Sequence, residues 1–306
     1  MIAVTGASGY IARRVLDRLA GQGVPAVAFS RTPSPVSGAA RWHAGADGVP
    51  TPGQLAGCSS VIHLAGRAHT RVANEGGRDL FDEANRVHAL RCAQAARTAG
   101  VARFVFVSTL GVHGSWSAEP VRADSPIRAN TPYARSKFAA ERELQAMLAG
   151  GSMQLCIVRP PMVYGPGCPG NLPRLVRLVR SGVPLPFASA RGVRSFIHVD
   201  GLASFLVRCA ADGAPAGTFV IGDGSDWTLP DLVRAIASAQ GRAARLIRFP
   251  LPMLRFAAAA AGRRREIESL TRPMQVDAGV AWEAFGWRPA IEPRQALKDT
   301  VLALGA

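Results

Sequence analysis

The stretch from residue 1 to residue 29 constrains the fold more than any other part of the chain. Residues 1–5 are an apolar run that ends at Gly6. Residues 11–20 then place Ile11, Val15, Leu16 and Leu19 at helical spacing. Glycines at 21 and 23 close that helix, and residues 26–29 are a second short apolar run. Two short apolar strands joined through a helix are expected to run parallel, since a parallel pair needs a crossover of this kind and a tight hairpin cannot supply it. The alternation continues with strands expected at 60–64, 103–108 and 155–158 and helices at 81–99 and 131–149. Such alternation defines an α/β fold with a doubly wound parallel sheet covered on both faces.

After Pro160 the texture changes. Proline and glycine become dense over residues 159–186, with basic helical stretches between them. Further strands are expected at 196–199 and 218–221, and helices at 229–240 and 293–304. A chain of 306 residues has room for one large or two modest domains. The reading is a nucleotide-binding domain over 1–165 and a smaller mixed α/β region over 166–306, with the segment around 195–212 returning to the first. Residues 32–40 read as a mobile Pro/Ser/Gly loop, and the alanine run at 257–261 as part of a helix.

The turn itself reads Thr5-Gly6-Ala7-Ser8-Gly9-Tyr10-Ile11-Ala12. Gly6 permits a tight turn, Gly9 lets the backbone approach a pyrophosphate, and Ala12 is small enough for helix–strand packing. The helix N-terminus stabilises the phosphate charge. Between a strand and a helix this is a dinucleotide-binding turn. The second strand ends in Phe29-Ser30-Arg31-Thr32, without the acid that would bind ribose hydroxyls. An arginine there can pair with a 2′-phosphate, which favours NADP(H) over NAD(H). Asp47 is a candidate contact for the adenine edge.

Tyr133 and Lys137 stand four apart, on one face of a helix that opens with Pro132 and has Asn130 or Thr131 as its cap. A free tyrosine titrates near 10, and a neighbouring ammonium is expected to lower that value. The pair can then exchange a proton with a carbonyl or alcohol oxygen. Ser108-Thr109 ends a strand and offers hydroxyls to the same oxygen. The chain has only two lysines, Lys137 and Lys298, and three tyrosines, so this coincidence is informative.

Charge is the unusual part of the composition. Lysine and arginine number 36 against 21 acids, a formal net charge of +15. No nucleic-acid recognition motif accompanies it, and the longest basic run is Arg263-Arg264-Arg265. That run follows the apolar stretch 249–262, which could rest weakly on an anionic membrane surface. No apolar run approaches the roughly 18 residues of a spanning helix. Five scattered cysteines without a CxxC pair argue against a disulfide framework, and no metal site is expected. The absence of a charged leader favours a reduced cytoplasmic setting.

These motifs resemble the extended short-chain dehydrogenase/reductase superfamily, and within it the nucleotide-sugar epimerase, reductase and dehydratase group. The resemblance rests on residues 5–12, His63-Leu64-Ala65-Gly66, Asn85, Ser108-Thr109, and Tyr133 with Lys137. It also rests on residues 159–167, the motif Arg194-Ser195-Phe196-Ile197-His198-Val199-Asp200, and Phe285-Gly286-Trp287-Arg288-Pro289. It covers essentially the whole chain and implies a Rossmann-like fold. Thr109, Tyr133 and Lys137 would form the catalytic set. Ala65 and Gly66 would pass close to the cofactor, Asn85 would support the site, and Lys137 would also bind the nicotinamide ribose. The cofactor would further meet Ser8, Tyr10, Ile11, Leu64, Ser108, Pro160 and Val163. Asn171 and Arg194 would hold a nucleotide diphosphate, with Arg272 as a second phosphate contact.

Sugar 4,6-dehydratases of the group carry Asp-Glu after the threonine. Here Leu110-Gly111 follows Thr109, which argues against dehydration. The resemblance therefore implies 4-keto reduction of a UDP sugar with NADPH, or 4-epimerisation with tightly bound NAD, in a homodimer. A non-catalytic dinucleotide sensor on the same fold would typically lack the tyrosine or the lysine.

Overall fold

The computed structural model describes residues 1–32, 41–68, 74–75, 78–260, 262 and 264–305. Most of the loop at 32–40, His69, Arg263 and the side chains of Arg264 and Arg265 lie outside the described residues.

The chain runs β1 (Ile2–Thr5), α1 (Tyr10–Gly21), β2 (Ala26–Ser30), β3 (Arg41–Ala44) and β4 (Ser60–His63). A short ribbon follows, β5 (Asn74–Glu75) and β6 (Arg78–Asp79), then α2 (Leu80–Asp82), a π-helical turn (Glu83–Val87) and α3 (His88–Thr98). Next come β7 (Arg103–Val107), α4 (Pro132–Leu148), β8 (Gln154–Arg159), β9 (Met162–Tyr164), α5 (Asn171–Arg180), β10 (Val193–His198) and α6 (Val199–Cys209). The remainder is β11 (Gly217–Val220), β12 (Asp226–Thr228), α7 (Leu229–Ala239), α8 (Leu251–Ala260), α9 (Arg264–Thr271), α10 (Gly279–Phe285) and α11 (Pro293–Gly305).

Seven strands form one sheet in the order β11-β8-β7-β4-β1-β2-β3. Every neighbouring pair is parallel. The inner strands β1, β2 and β7 are short and buried on both faces, which is why they read as apolar runs rather than as alternating patterns. Ile2, Val4, Ala28, Val105 and Val158 face α1 and α6 on one side. Their strand neighbours Ala3, Val27, Phe104 and Ile157 face α3 and α4 on the other. The fold class is therefore the doubly wound, Rossmann-like one expected from sequence. The third sheet strand, β3, was not foreseen. Its residues alternate only weakly in polarity, and it is an edge strand.

A second sheet, β12-β10-β9, and the helices α5, α7 and α11 enclose a separate apolar cluster that includes Tyr164, Val176, Phe196, Val233 and Leu297. Chain order reverses between β1 and β4. In sheets of this kind the strand ends beside such a reversal open into the ligand crevice.

Candidate active site

The crevice is a cleft of about 490 Å³ between the carboxyl ends of the main strands and the smaller sheet. Gly6 and Gly9 line it after β1, Leu64 and Gly66 after β4, Ser108 and Thr109 after β7, and Pro160 and Val163 after β8. Tyr10, Ile11, Tyr133, Lys137, Asn171 and Arg194 complete the set of expected residues that reach it.

Gly6 sits at φ 68°, in the left-handed region. A Cβ there would stand 2.5 Å from the backbone nitrogen of Ala65. The loops after β1 and β4 thus touch backbone to backbone, and only glycine fits. Ala65 itself is used in that contact and does not line the cleft. Gly66 is held the same way, since a Cβ would meet Asn85 Oδ1 at 2.7 Å. Asn85 is buried in the π-helical turn. Its Oδ1 accepts from the Arg67 amide (2.8 Å), and its Nδ2 donates to the Arg67 carbonyl (3.1 Å) and to Ser136 Oγ (3.0 Å). It ties the β4 loop to the tyrosine–lysine helix.

Thr131 caps α4 by accepting from the Ala134 amide at 3.1 Å, and Pro132 occupies the first turn. This sets the register that turns Tyr133 and Lys137 to one side. Lys137 is 4% exposed. Its Nζ donates to the Val107 carbonyl at 2.9 Å and lies 4.6 Å from the centre of the Phe106 ring. Burial pulls the ammonium down to about 8, against the pull of Glu141, which favours the charged form. For Tyr133 the expectation of a lowered pKa is reversed. Dehydration pushes the phenol up to about 12, and the opposing influence is a hydrogen bond with Thr109 rather than the lysine. The lysine is turned to the Val107 carbonyl, so burial outweighs charge at the phenol.

Ser108 Oγ is buried without a hydrogen-bond partner, as is Tyr10 OH. Both belong to residues that line the cleft, and orphaned hydroxyls of this kind suit a polar ligand. Gly170 precedes α5 with no side-chain cap and Pro173 has no N–H, so the uncapped donors of the first turn are the amides of Asn171 and Leu172. The Arg194 guanidinium donates to the carbonyls of Arg272 (3.0 Å) and Ser115 (3.3 Å). Burial pulls it down to about 10, with no carboxylate offsetting that effect. An arginine dehydrated without a counter-charge at the wall of a cleft is suited to an anion.

Other expected contacts stand apart from the cleft. Ser8 and Arg31 are exposed, and the Arg31 backbone packs beside Gly48. Ser30 Oγ accepts from Trp42 Nε1 (3.1 Å) and donates to the Thr32 carbonyl (2.5 Å). Asp47 accepts from the Val49 amide (3.0 Å) and from Arg91 (2.8 Å), which hold its carboxyl below the usual range. The Arg272 guanidinium stacks on Trp116, 4.3 Å from the ring centre.

Two arrangements were not foreseen. Arg159 and Glu141 are both buried, with Arg159 Nε 3.0 Å and Nη2 2.5 Å from the carboxylate. Arg159 Nη1 also reaches the Ala123 carbonyl (2.9 Å) and His113 Nε2 (3.0 Å). The available signal was spacing, because Glu141 continues the Tyr133–Lys137 face by one more helical turn. The fold also brings together His63, His88 and Cys92, with ligand atoms within 4.8 Å of one another. His63 Nδ1 meets Thr5 Oγ1 (2.8 Å), His88 meets the Asp47 carbonyl (3.0 Å) and Cys92 Sγ (3.6 Å), and burial pushes the Cys92 thiol up. His88 thus has both nitrogens engaged beside a protonated thiol.

A parallel sheet with a glycine turn at its switch point and a tyrosine–lysine helix beside it defines a dinucleotide-dependent enzyme of the extended short-chain dehydrogenase/reductase type. Residues 2–222 match the model of the NAD dependent epimerase/dehydratase family, and the chain belongs to that family. A UDP-glucose 4-epimerase of Vibrio cholerae is 31% identical over 248 residues, covering 79% of this chain and 76% of the relative. A ceramide reductase of Caulobacter vibrioides is 34% identical over 261 residues, covering 82% and 74%. Among solved structures, MoeE5 in complex with UDP-glucose and NAD aligns with a TM-score of 0.80 at 25% identity, covering 99% of this chain and 97% of that one.

Proposed function

We propose that the chain reduces the C4 ketone of a nucleotide-linked sugar, most simply a UDP sugar, with NADPH. The observation that carries the substrate class is Arg194, a dehydrated cation at the cleft wall with no carboxylate to neutralise it. With the uncapped amides of Asn171 and Leu172, it suits a diphosphate. Arg272 would add a second contact by leaving Trp116. Gly6, Gly9, Tyr10, Ile11, Leu64, Gly66, Ser108, Pro160 and Val163 line the cleft and suit a dinucleotide, with Ala65 and Asn85 behind its wall. Ser8 and Asp47, outside the cleft, would meet only its outer parts, Asp47 at the adenine edge. When bound, the dinucleotide supplies a hydride. Tyr133 supplies the proton to the C4 oxygen, and its raised pKa keeps it protonated and ready to give. Thr109 hydrogen-bonds that tyrosine. Lys137 would hold the nicotinamide ribose and, once turned from Val107, favour the phenolate left behind.

Reduction is favoured by the end of β2, where Ser30 and the exposed Arg31 stand without an acid. That composition suits NADP(H), a co-substrate that exchanges at every turnover. A second reading is supported by the relative from Vibrio cholerae and by the NAD in MoeE5. It is 4-epimerisation with tightly held NAD. The two separate in one assay. Steady loss of NADPH absorbance with a UDP-4-keto sugar supports reduction. Interconversion of UDP-sugar epimers without added nucleotide overturns it. We also propose a cytoplasmic homodimer, tested by light scattering of the purified chain.

A further inference from the structure

The positive charge is not evenly spread. Residues 171–191 and 241–265 together contain eleven arginines and no aspartate, glutamate or lysine. The fold joins these two segments. Leu185 bridges to Leu246, its amide donates to the Arg245 carbonyl (2.8 Å), and the Ile247 amide donates back to Leu185 (2.9 Å). Arg242 and Arg245 further hold the carbonyls of Arg180 (2.8 Å) and Gly182 (3.3 Å), contacts that leave their charge unneutralised. Arg174, Arg177, Arg180, Arg242, Arg245 and Arg248 are all exposed.

Apolar side chains stand out among them. Helix α8 buries Ala258 and packs Leu251 and Leu254 on the smaller cluster, yet leaves Met253 59% and Phe256 77% exposed. Val183, Leu178 and Ile247 are exposed on the paired segments. We infer that this basic, apolar-studded face docks on an anionic lipid bilayer, with Phe256 and Met253 entering the headgroup boundary and the arginines meeting the lipid phosphates. A second copy of the chain is disfavoured, because a two-fold contact would set these two acid-free segments against themselves. A nucleic-acid duplex would engage the arginines and give Phe256 and Met253 no apolar layer to enter. Helix α5 links the face to the cleft. Its first residue, Asn171, lines the cleft, and its ten residues end at Arg180, a span of about 15 Å.

The test is co-sedimentation of the full chain with vesicles of phosphatidylcholine, with and without phosphatidylglycerol in equal part. Binding is expected to the anionic vesicles alone and to be lost in high salt. Phe256→Ser with Met253→Ser should weaken it by about tenfold or more. Arg245→Ser and Arg248→Ser should each weaken it by roughly fivefold. Phe256→Trp should shift its emission to the blue on the anionic vesicles. Unchanged melting and cofactor binding in these variants show that they fold. Equal binding to neutral vesicles, no binding to anionic ones, full binding by the double serine variant, or displacement by duplex DNA at lower concentration than free anionic vesicles would each overturn the inference.

Discussion

Glu141→Gln gives the sharpest energetic prediction. Glu141 is 1% exposed, and its carboxylate is met by the Arg159 Nε at 3.0 Å and Nη2 at 2.5 Å. The amide has nearly the same volume, so no cavity forms. What is lost is the charge that offsets a buried guanidinium, whose remaining partners are the Ala123 carbonyl and His113. Breaking one side of a buried pair costs about 3–5 kcal/mol. Against a total stability of about 5–15 kcal/mol, that is a large fraction. Urea unfolding of the cofactor-free protein, followed by tryptophan fluorescence, should show the midpoint fall at unchanged slope. Arg159→Met should cost a similar amount. The double variant Glu141→Leu/Arg159→Met should recover most of the loss, because neither charge is then left buried. Lys137 also loses the carboxylate whose charge favours its ammonium, so its pKa should drop below about 8. A Glu141→Gln protein within about 1 kcal/mol of wild type, or a double variant as unstable as the sum of the singles, would refute the reasoning.

Three further outcomes follow from the site. Gly6→Ala should lose about 2–5 kcal/mol by thermal or urea unfolding even without cofactor, because its Cβ would overlap the Ala65 backbone at a left-handed φ. Lys137→Met should abolish turnover yet stabilise the cofactor-free protein at pH 7 by about 3 kcal/mol. The folded-state pKa is lowered to about 8 from 10.5, so burial of the charge costs stability below pH 8, and the gap between the two proteins should close as pH rises from 8 to 10.5. Arg194→Met should raise the KM for the nucleotide sugar by roughly tenfold or more, as expected for a lost charge-assisted hydrogen bond, without lowering the melting temperature.

Much of the site was written in short-range pattern. The strand–turn–helix at the N-terminus needed only spacing and glycine, and the Tyr133–Lys137 pair needed only helical periodicity and a cap. Both involve residues close in sequence, where backbone geometry decides who shares a face. The Arg159–Glu141–His113 group was not legible, since its members come from β8, α4 and the loop after β7 and meet only once the sheet is assembled. Asn85 was named on resemblance alone, and its partners, the Arg67 backbone and Ser136, meet it only in the fold. The direction of the Tyr133 shift was misread for a related reason. Sequence places a lysine one turn away, but only the fold shows that its ammonium is spent on the Val107 carbonyl while the phenol is dehydrated. Strand β9 lies in the Pro/Gly-dense stretch and is held by pairing with β10, which no local propensity announces. The arginine excess, diffuse as a composition figure, gained a location only when the fold joined 171–191 to 241–265.

The central claim is that hydride goes from NADPH to C4 of a nucleotide sugar with Tyr133 as the proton donor. The most direct measurement is turnover of a UDP-4-keto sugar with NADPH deuterated at the transferred position, read by mass and NMR spectra of the product. The account predicts deuterium at C4 with wild-type protein and almost none with Tyr133→Phe. A product labelled elsewhere, an unlabelled C4 at full turnover, or undiminished labelling by the phenylalanine variant would contradict it.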